Sequence, residues 1–164
     1  MKLSIITPTL NSSQYLEECA NSILLNQNYD NFEWLIVDGG STDSTLEILD
    51  NYNSLKIRII KDYSNHPSIA YNKGLQAATG DIISTLGSDD IYEKNIFKEI
   101  IKIFSINSID WLIGHNKIID SKSKEVRKFI TNFKTKKINN FSYQSLALDN
   151  YVPMQSVFWK KKFM

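Results

Sequence analysis

Cysteine is almost absent. Cys19 is the only one in 164 residues, which excludes an internal disulfide framework and a cysteine-rich zinc site. His66 and His115 are the only histidines, and a lone histidine is more often a satisfied surface residue than a ligand or base. Net charge is also scarce, at +1, so bulk charge does not mark the chain as a binder of nucleic acid or another polyanion. No apolar run approaches the roughly 18 residues of a membrane span. The opening Met1 to Ile6 is interrupted by Pro8 too soon for a signal peptide. There is no G-x-G-x-x-G after the first strand and no G-x-x-x-x-G-K-[ST], so a dinucleotide fold and a P-loop are unsupported. Internal repeats and low-complexity linkers are missing as well.

What is present suits one ordinary globular domain. Hydrophobic residues make up 42%, aromatics 12% and charged residues 23%, close to the globular average, which excludes disorder across the chain. A chain of this length buries roughly 70% of its unfolded surface and needs no disulfide staple. The expectation is a soluble cytoplasmic domain. The small net charge hides an asymmetry. Residues 1–120 carry 9 basic and 16 acidic side chains, whereas residues 121–164 carry 10 basic and 2 acidic ones. Such a basic end suits either an anionic partner or a solvated lysine-rich edge.

Hydrophobic periodicity predicts an alternation. Lys2 to Thr7 reads as a buried strand stopped by Pro8, and residues 13–27 as an amphipathic helix capped by Asn11, Ser12 and Ser13. Phe32 to Val37 is a second strand, followed by a helix with a capping box at Ser44 and Glu47. Ile57 to Ile60, a helix from Pro67 to Ala78, a strand from Asp81 to Leu86 and a helix through Ile96 and Phe104 complete the series. Four strands alternating with four helices call for a mostly parallel α/β sheet with helices on both faces. Ligands of open α/β sheets bind at the carboxyl ends of the strands. The candidate segments are therefore Thr7 to Asn11, Asp38 to Asp43, Asp62 to His66 and Gly87 to Asp90. Residues 1–105 form this α/β half. Residues 106–164 read as a β-rich region of the same domain. It has strands at Trp111 to Ile119 and Glu125 to Thr131 flanking a polar turn, a weakly helical stretch from Phe133 to Leu148, and a short strand at Val157 to Trp159.

Three of these segments carry chemistry. Asp89 and Asp90 follow an apolar strand and a glycine; paired carboxylates there are hard ligands for Mg²⁺ or Mn²⁺, which in turn bind diphosphate oxygens. The plainer alternative is a helix N-terminus favoured by the helix dipole. In Asp38-Gly39-Gly40-Ser41-Thr42-Asp43 the glycines let backbone approach a ligand and Asp38 can accept from a base N–H, or the segment is simply a turn that caps the next helix. Lys73, in Asn72-Lys73-Gly74, is either a phosphate contact or a solvated helix lysine. Cys19 lies on the apolar face of the first helix and reads as core.

Together these pieces resemble the nucleotide-sugar-binding domain of family 2 glycosyltransferases, which have a GT-A fold. They are Ser4 to Asn11, Ile36 to Asp43, Asn72 to Asp81, Gly87 to Tyr92, and Gln155-Ser156-Val157-Phe158-Trp159, in the family's order and covering nearly the whole chain. The resemblance implies that Thr7, Pro8 and Thr9 line the nucleobase and ribose, that Asp38 accepts the uracil N3–H, and that Lys73 lies near the diphosphate. It implies that Asp89 holds ribose or sugar hydroxyls and that Asp90 ligates a divalent metal, Mn²⁺ or Mg²⁺. The implied reaction is inverting transfer from a UDP-sugar to a cell-surface glycan precursor. The implied partners are the nucleotide-sugar donor and a glycan or lipid-linked acceptor. Separately from the resemblance, the basic count of residues 121–164 allows peripheral contact with the inner face of the membrane, beside the solvated-edge reading.

Two features depart from the pattern. The first position of the D-x-D-type motif is Ser88, common in the family but not a carboxylate, and His66 to Tyr71 stands where many members have a Gly-Ile-Tyr-Asp stretch. The family's general base usually follows the strand matched by Gln155 to Trp159, and here the sequence ends at Met164. Asp149 is the one candidate base in a loop able to return over the strand ends. The sequence-level expectation is thus a donor-binding chain that transfers sugar poorly by itself. The alternatives are a non-catalytic nucleotide-sugar-binding fragment and, more distantly, a nucleotidyltransferase.

Overall fold

A computed structural model describes residues 1–64 and 66–163; Asn65, in the candidate loop after the third strand, and Met164 lie outside the described residues. The α/β half runs β1 (Leu3–Thr9), α1 (Leu16–Leu24), β2 (Phe32–Asp38), α2 (Thr45–Asn51), β3 (Ile57–Lys61), α3 (Pro67–Ala77), β4 (Ile82–Thr85) and α4 (Ile96–Ile106). It continues through β5 (Trp111–Ile113), β6 (Ile118–Ile119), β7 (Glu125–Val126), α5 (Lys128–Asn139), α6 (Tyr143–Leu148) and β8 (Val157–Lys160). The main sheet has the order β3-β2-β1-β4-β8-β5; β1 to β4 are mutually parallel, and β8 is antiparallel to both neighbours.

Both faces of the sheet are covered, which is why the central strands read as unbroken apolar runs. One face packs Leu3, Ile5, Trp34, Ile36 and Ile82 against Leu16, Cys19 and Ile23 of α1, Leu49 of α2 and Phe97, Ile100 and Phe104 of α4. The other packs Ile6, Leu35, Val37 and Ile83 beneath α3. From β1 the chain steps outward through β2 to β3, then crosses back under α3 to place β4 on the other side of β1. The strand order therefore reverses between β1 and β4, and the loops leaving those two strands part to open a crevice.

Several predicted boundaries move, each for a physical reason. Pro8 does not end β1. Leu3 N donates to Asn31 O and Thr9 O accepts from Gly39 N, so odd residues bond to β2; Ile6 O accepts from Leu86 N, so even residues face β4. β4 ends at Thr85, and the N–H that Pro8 lacks would have pointed past its end. The Ser44 capping box is absent; Asp43 Oδ1 instead accepts from Thr45 N at 3.0 Å. α1 begins at Leu16, three residues later than the sequence pattern suggests. The predicted hairpin is short, pairing only Ile118–Ile119 with Glu125–Val126, because Arg127 adopts a left-handed φ of 50° and the chain turns helical at Lys128. Trp111–Ile113 joins the main sheet beside β8.

At the N-terminal edge of the sheet, Glu33 is 8% exposed and ties three elements together. Its Oε1 accepts from Ser4 Oγ at 2.6 Å and from Thr79 N at 2.6 Å, and its Oε2 meets Lys2 Nζ at 3.0 Å. Burial by itself would raise its pKa, but the hydrogen bonds from Ser4, Thr79 and Lys2 outweigh it and hold the carboxyl at about 2. A depressed carboxylate stabilises the fold above its ordinary value of 4.5, and that contribution fades as pH falls toward 2. Glu33→Gln is expected to cost about 1–3 kcal/mol at neutral pH and to flatten the loss of stability in that acid window. Denaturant titrations of both proteins across the window check this.

Candidate active site

The site is built from the ends of β1, β2 and β3 on one side of the crevice and of β4 on the other. Asp38, the last residue of β2, is 1% exposed. The turn that follows folds back onto its carboxylate: Oδ2 accepts from Gly40 N at 3.0 Å and Ser41 N at 3.2 Å, and Oδ1 from Ser41 Oγ at 2.6 Å. Gly40 reaches this geometry at a φ of +95°, with the ring of Tyr63 against its open side. Thr9 stands opposite Asp38 in the strand register, its hydroxyl 3.5 Å from Oδ1. Just past β3, Asp62 N donates to Asp38 O at 2.8 Å. Its carboxylate, 2% exposed, accepts from Lys73 Nζ at 2.7 Å and Ser64 Oγ at 2.7 Å; Lys73 first and Ser64 second hold it below the usual carboxylate range. Thr9, Asp38, Asp62 and Lys73 thus form one polar row across three strand ends.

Thr7 belongs beneath this row. It is fully buried and its hydroxyl accepts from Trp34 Nε1 at 2.9 Å, so it supports the strand end and does not line the crevice as the resemblance implied. Pro8 is half-buried, one residue nearer the opening. The loops are stitched to one another. Asn11 donates through its backbone N–H to Ser41 Oγ at 3.0 Å and accepts at Oδ1 from Thr42 N at 2.9 Å, while Ser12 N donates to Thr45 Oγ1 at 2.8 Å. Ser88 Oγ donates to Ser12 Oγ at 2.9 Å, joining the β4 side to the β1 side. Ser88 therefore works as a tie across the crevice.

Across the crevice, Asp89 and Asp90 converge. A Cβ placed on Gly87 would lie 2.8 Å from Asp89 Oδ1 and 2.8 Å from Asp90 Oδ2, so both carboxylates close over the bare Cα of that glycine. Burial, and then the charge of Asp89, push the Asp90 carboxyl above its ordinary value. Beneath them, Cys19 Sγ approaches Gly87 O at 3.6 Å, and burial followed by Asp90 and Asp89 drives its thiol strongly upward; it is core, as predicted. Tyr71, on α3, was passed over by sequence reasoning. Its phenol is raised by burial first and then by Asp90 and Asp89, which puts it in the field of the pair. The missed signal was position: it lies two residues before Lys73 on the helix that crosses back under the sheet.

Two converging carboxylates of like charge, with a glycine leaving room between them, fit a hard divalent cation. Among the described residues no group of three or more His, Cys, Asp or Glu side chains gathers to hold a metal. A cation here would therefore complete its coordination with ligand oxygens and water. Asp149 is engaged elsewhere: it sits just after α6, its carboxylate ion-paired with Lys137 of α5.

Open α/β sheets of this kind take their ligands in the crevice at the carboxyl ends of the strands, and here that crevice carries the Asp89–Asp90 pair. The profile of Glycosyl transferase family 2 matches residues 4–163, and the chain belongs to that family. It is similar to glycosyltransferase GlyG of Streptococcus pneumoniae, 28% identical over 161 residues, covering 96% of this chain and 51% of the relative. It is also similar to TuaG of Bacillus subtilis, described as a putative teichuronic acid biosynthesis glycosyltransferase, at 38% identity over 96 residues, or 57% of this chain and 38% of that one. Among solved structures, Staphylococcus aureus TarS in complex with UDP-GlcNAc superposes with a TM-score of 0.70 at 26% identity, covering 98% of this chain and 46% of that chain. The fold is thus the mostly parallel GT-A sheet expected from the strand–helix alternation. The chain spans about half the length of such relatives, from 38% to 51% of the two named.

Proposed function

We propose that this chain binds a UDP-sugar together with Mn²⁺ or Mg²⁺ and serves an inverting glycosyltransferase that builds a cell-surface glycan. The observation that carries this reading is the convergence of Asp89 and Asp90 over Gly87 after β4, with the Asp38 turn at the end of β2, on the other side of β1. Support for a uridine donor comes from the UDP-GlcNAc bound by TarS. A divalent cation at Asp90 would neutralise the diphosphate as it leaves with its negative charge. The chain's own residues do the rest. Asp38 receives the base, Thr9 and Pro8 wall the ribose side, and Asp89 holds hydroxyls of ribose or sugar. Lys73, steered by Asp62, presents an ammonium to the phosphates. The acceptor is a glycan or lipid-linked hydroxyl approaching from the side of residues 106–164, and the enzyme acts in the cytoplasm.

Titration calorimetry with UDP and CDP in the presence of Mn²⁺ tests the base assignment. The uracil N3–H can donate to Asp38, whereas cytosine N3 is an acceptor and meets its lone pairs. Because Gly40 and Ser41 already satisfy part of that carboxylate, the difference is one net hydrogen bond to a charged group, and UDP is expected to bind about tenfold more tightly. Equal affinities would remove Asp38 from this role.

A further inference from the structure

Helix α5 lies outside the donor site and presents exposed phenylalanines. Its inner side is anchored by Thr131, which is 7% exposed, and by the half-buried Ile138. Its outer side is unusual for a solvated helix. Phe129 is 84% exposed and Phe133, one turn on, is 49% exposed; residues four apart share a face. Lys136 follows three residues later on the same face and is exposed. Lys137 lies with its Nζ 4.9 Å from the Phe133 ring centroid. Lys128, at the start of the helix, is also exposed, with Glu125 3.9 Å away. The helix thus carries two aromatic rings outward, with ammonium groups beside them.

A solvated helix face has no reason to hold out two phenylalanines, and a protein partner recognised by apolar contact alone has no reason to need so many cations. Residues 121–139, the turn before α5 and α5 itself, carry 7 basic side chains against Glu125 alone, so this stretch is strongly cationic; Lys160 and Lys162 are paired with Asp110 at the far end of β8 and take no part. Aromatic rings that insert at a headgroup boundary, flanked by lysines that meet anionic headgroups, are the signature of an interfacial helix. We propose that the Phe129–Phe133–Lys136 face of α5 docks on the surface of an anionic lipid bilayer. No helix among the described residues is long and apolar enough to cross a membrane, and the contact inferred here is one that lies on the surface. The inference stands on α5 and is independent of the donor site.

The test is vesicle co-sedimentation of the full chain with phosphatidylcholine vesicles, with or without 30% phosphatidylglycerol. The expected result is binding at least about tenfold stronger to the anionic vesicles, lost in 0.5 M NaCl, since the attraction of lysines to such a surface is electrostatic and screened by salt. Phe129→Ser/Phe133→Ser should weaken anionic-vesicle binding about tenfold or more, from lost apolar insertion, and leave Mn²⁺–UDP affinity unchanged; Phe129→Ser alone, at the ring that is 84% exposed, should weaken it with the thermal midpoint unchanged as well. Lys136→Glu should weaken it too and leave those same readouts alone. Equal partitioning to both vesicle types, no vesicle binding, or unchanged binding by the double variant would each overturn the proposal. So would light scattering that shows a dimer abolished by the double variant, which would assign the face to a second copy of the chain. Loss of UDP binding in the parent, with vesicle binding intact, would count against the donor reading alone.

Discussion

Asp90→Asn is expected to weaken Mn²⁺-dependent UDP binding by about 100-fold, because even partners outside the first coordination shell are worth 10- to 100-fold and only Asp89 would remain as a carboxylate ligand. The same substitution should leave the fold at least as stable as the parent. Burial and the neighbouring Asp89 both disfavour the Asp90 carboxylate in the folded state, so its raised pKa marks a charge that opposes folding at neutral pH. A neutral amide of the same shape removes that opposition. The combination of weaker binding with equal or higher stability separates a ligand from a structural acid, for which both would fall. Calorimetry with and without Mn²⁺, alongside thermal unfolding, reads both quantities. If the parent binds UDP equally with and without Mn²⁺, Asp90 has no metal to hold and the assignment is wrong.

Gly80→Ala is expected to be among the most damaging single substitutions outside the site. A Cβ there would lie 2.6 Å from Ser4 Oγ, 2.7 Å from Ser4 N and 2.8 Å from Lys2 O. Two of those three atoms are backbone at the start of the central strand, and they cannot swing aside. Gly80 N also donates to Ser4 Oγ at 2.8 Å, so moving the strand breaks a buried bond as well as the Glu33 network beside it. We expect a loss of about 3 kcal/mol, at the upper end for overpacking, or roughly 100-fold in the folding equilibrium. A urea midpoint that drops with an unchanged m-value would show this cleanly. Because Gly80 precedes β4 and the site follows it, the protein that remains folded should bind UDP–Mn²⁺ as the parent does. A parent-like midpoint would mean that the start of β1 is far more pliant than its buried contacts imply.

The fold class and the positions of the candidate segments were legible in the sequence, because both follow from local rules. Apolar runs such as Phe32 to Val37 bury on both faces of a sheet, helical periodicity sets the intervening helices, and ligands sit after parallel strands. The pairing of Asp89 with Asp90 was visible for the same reason: the two residues are adjacent in the chain. What tertiary structure decided were the relations between distant segments. The strand order places the β1 and β4 loops across one crevice and commits Lys73 to Asp62. It buries Thr7 under Trp34, engages Asp149 with Lys137 and brings Tyr71 into the field of Asp90. The tolerance of β1 for Pro8 likewise depended on where β4 ends, 77 residues on, at Thr85. Periodicity reports which face of an element is apolar. Which neighbour meets that face, and which hydrogen bond is missing without cost, are set only when the sheet is assembled.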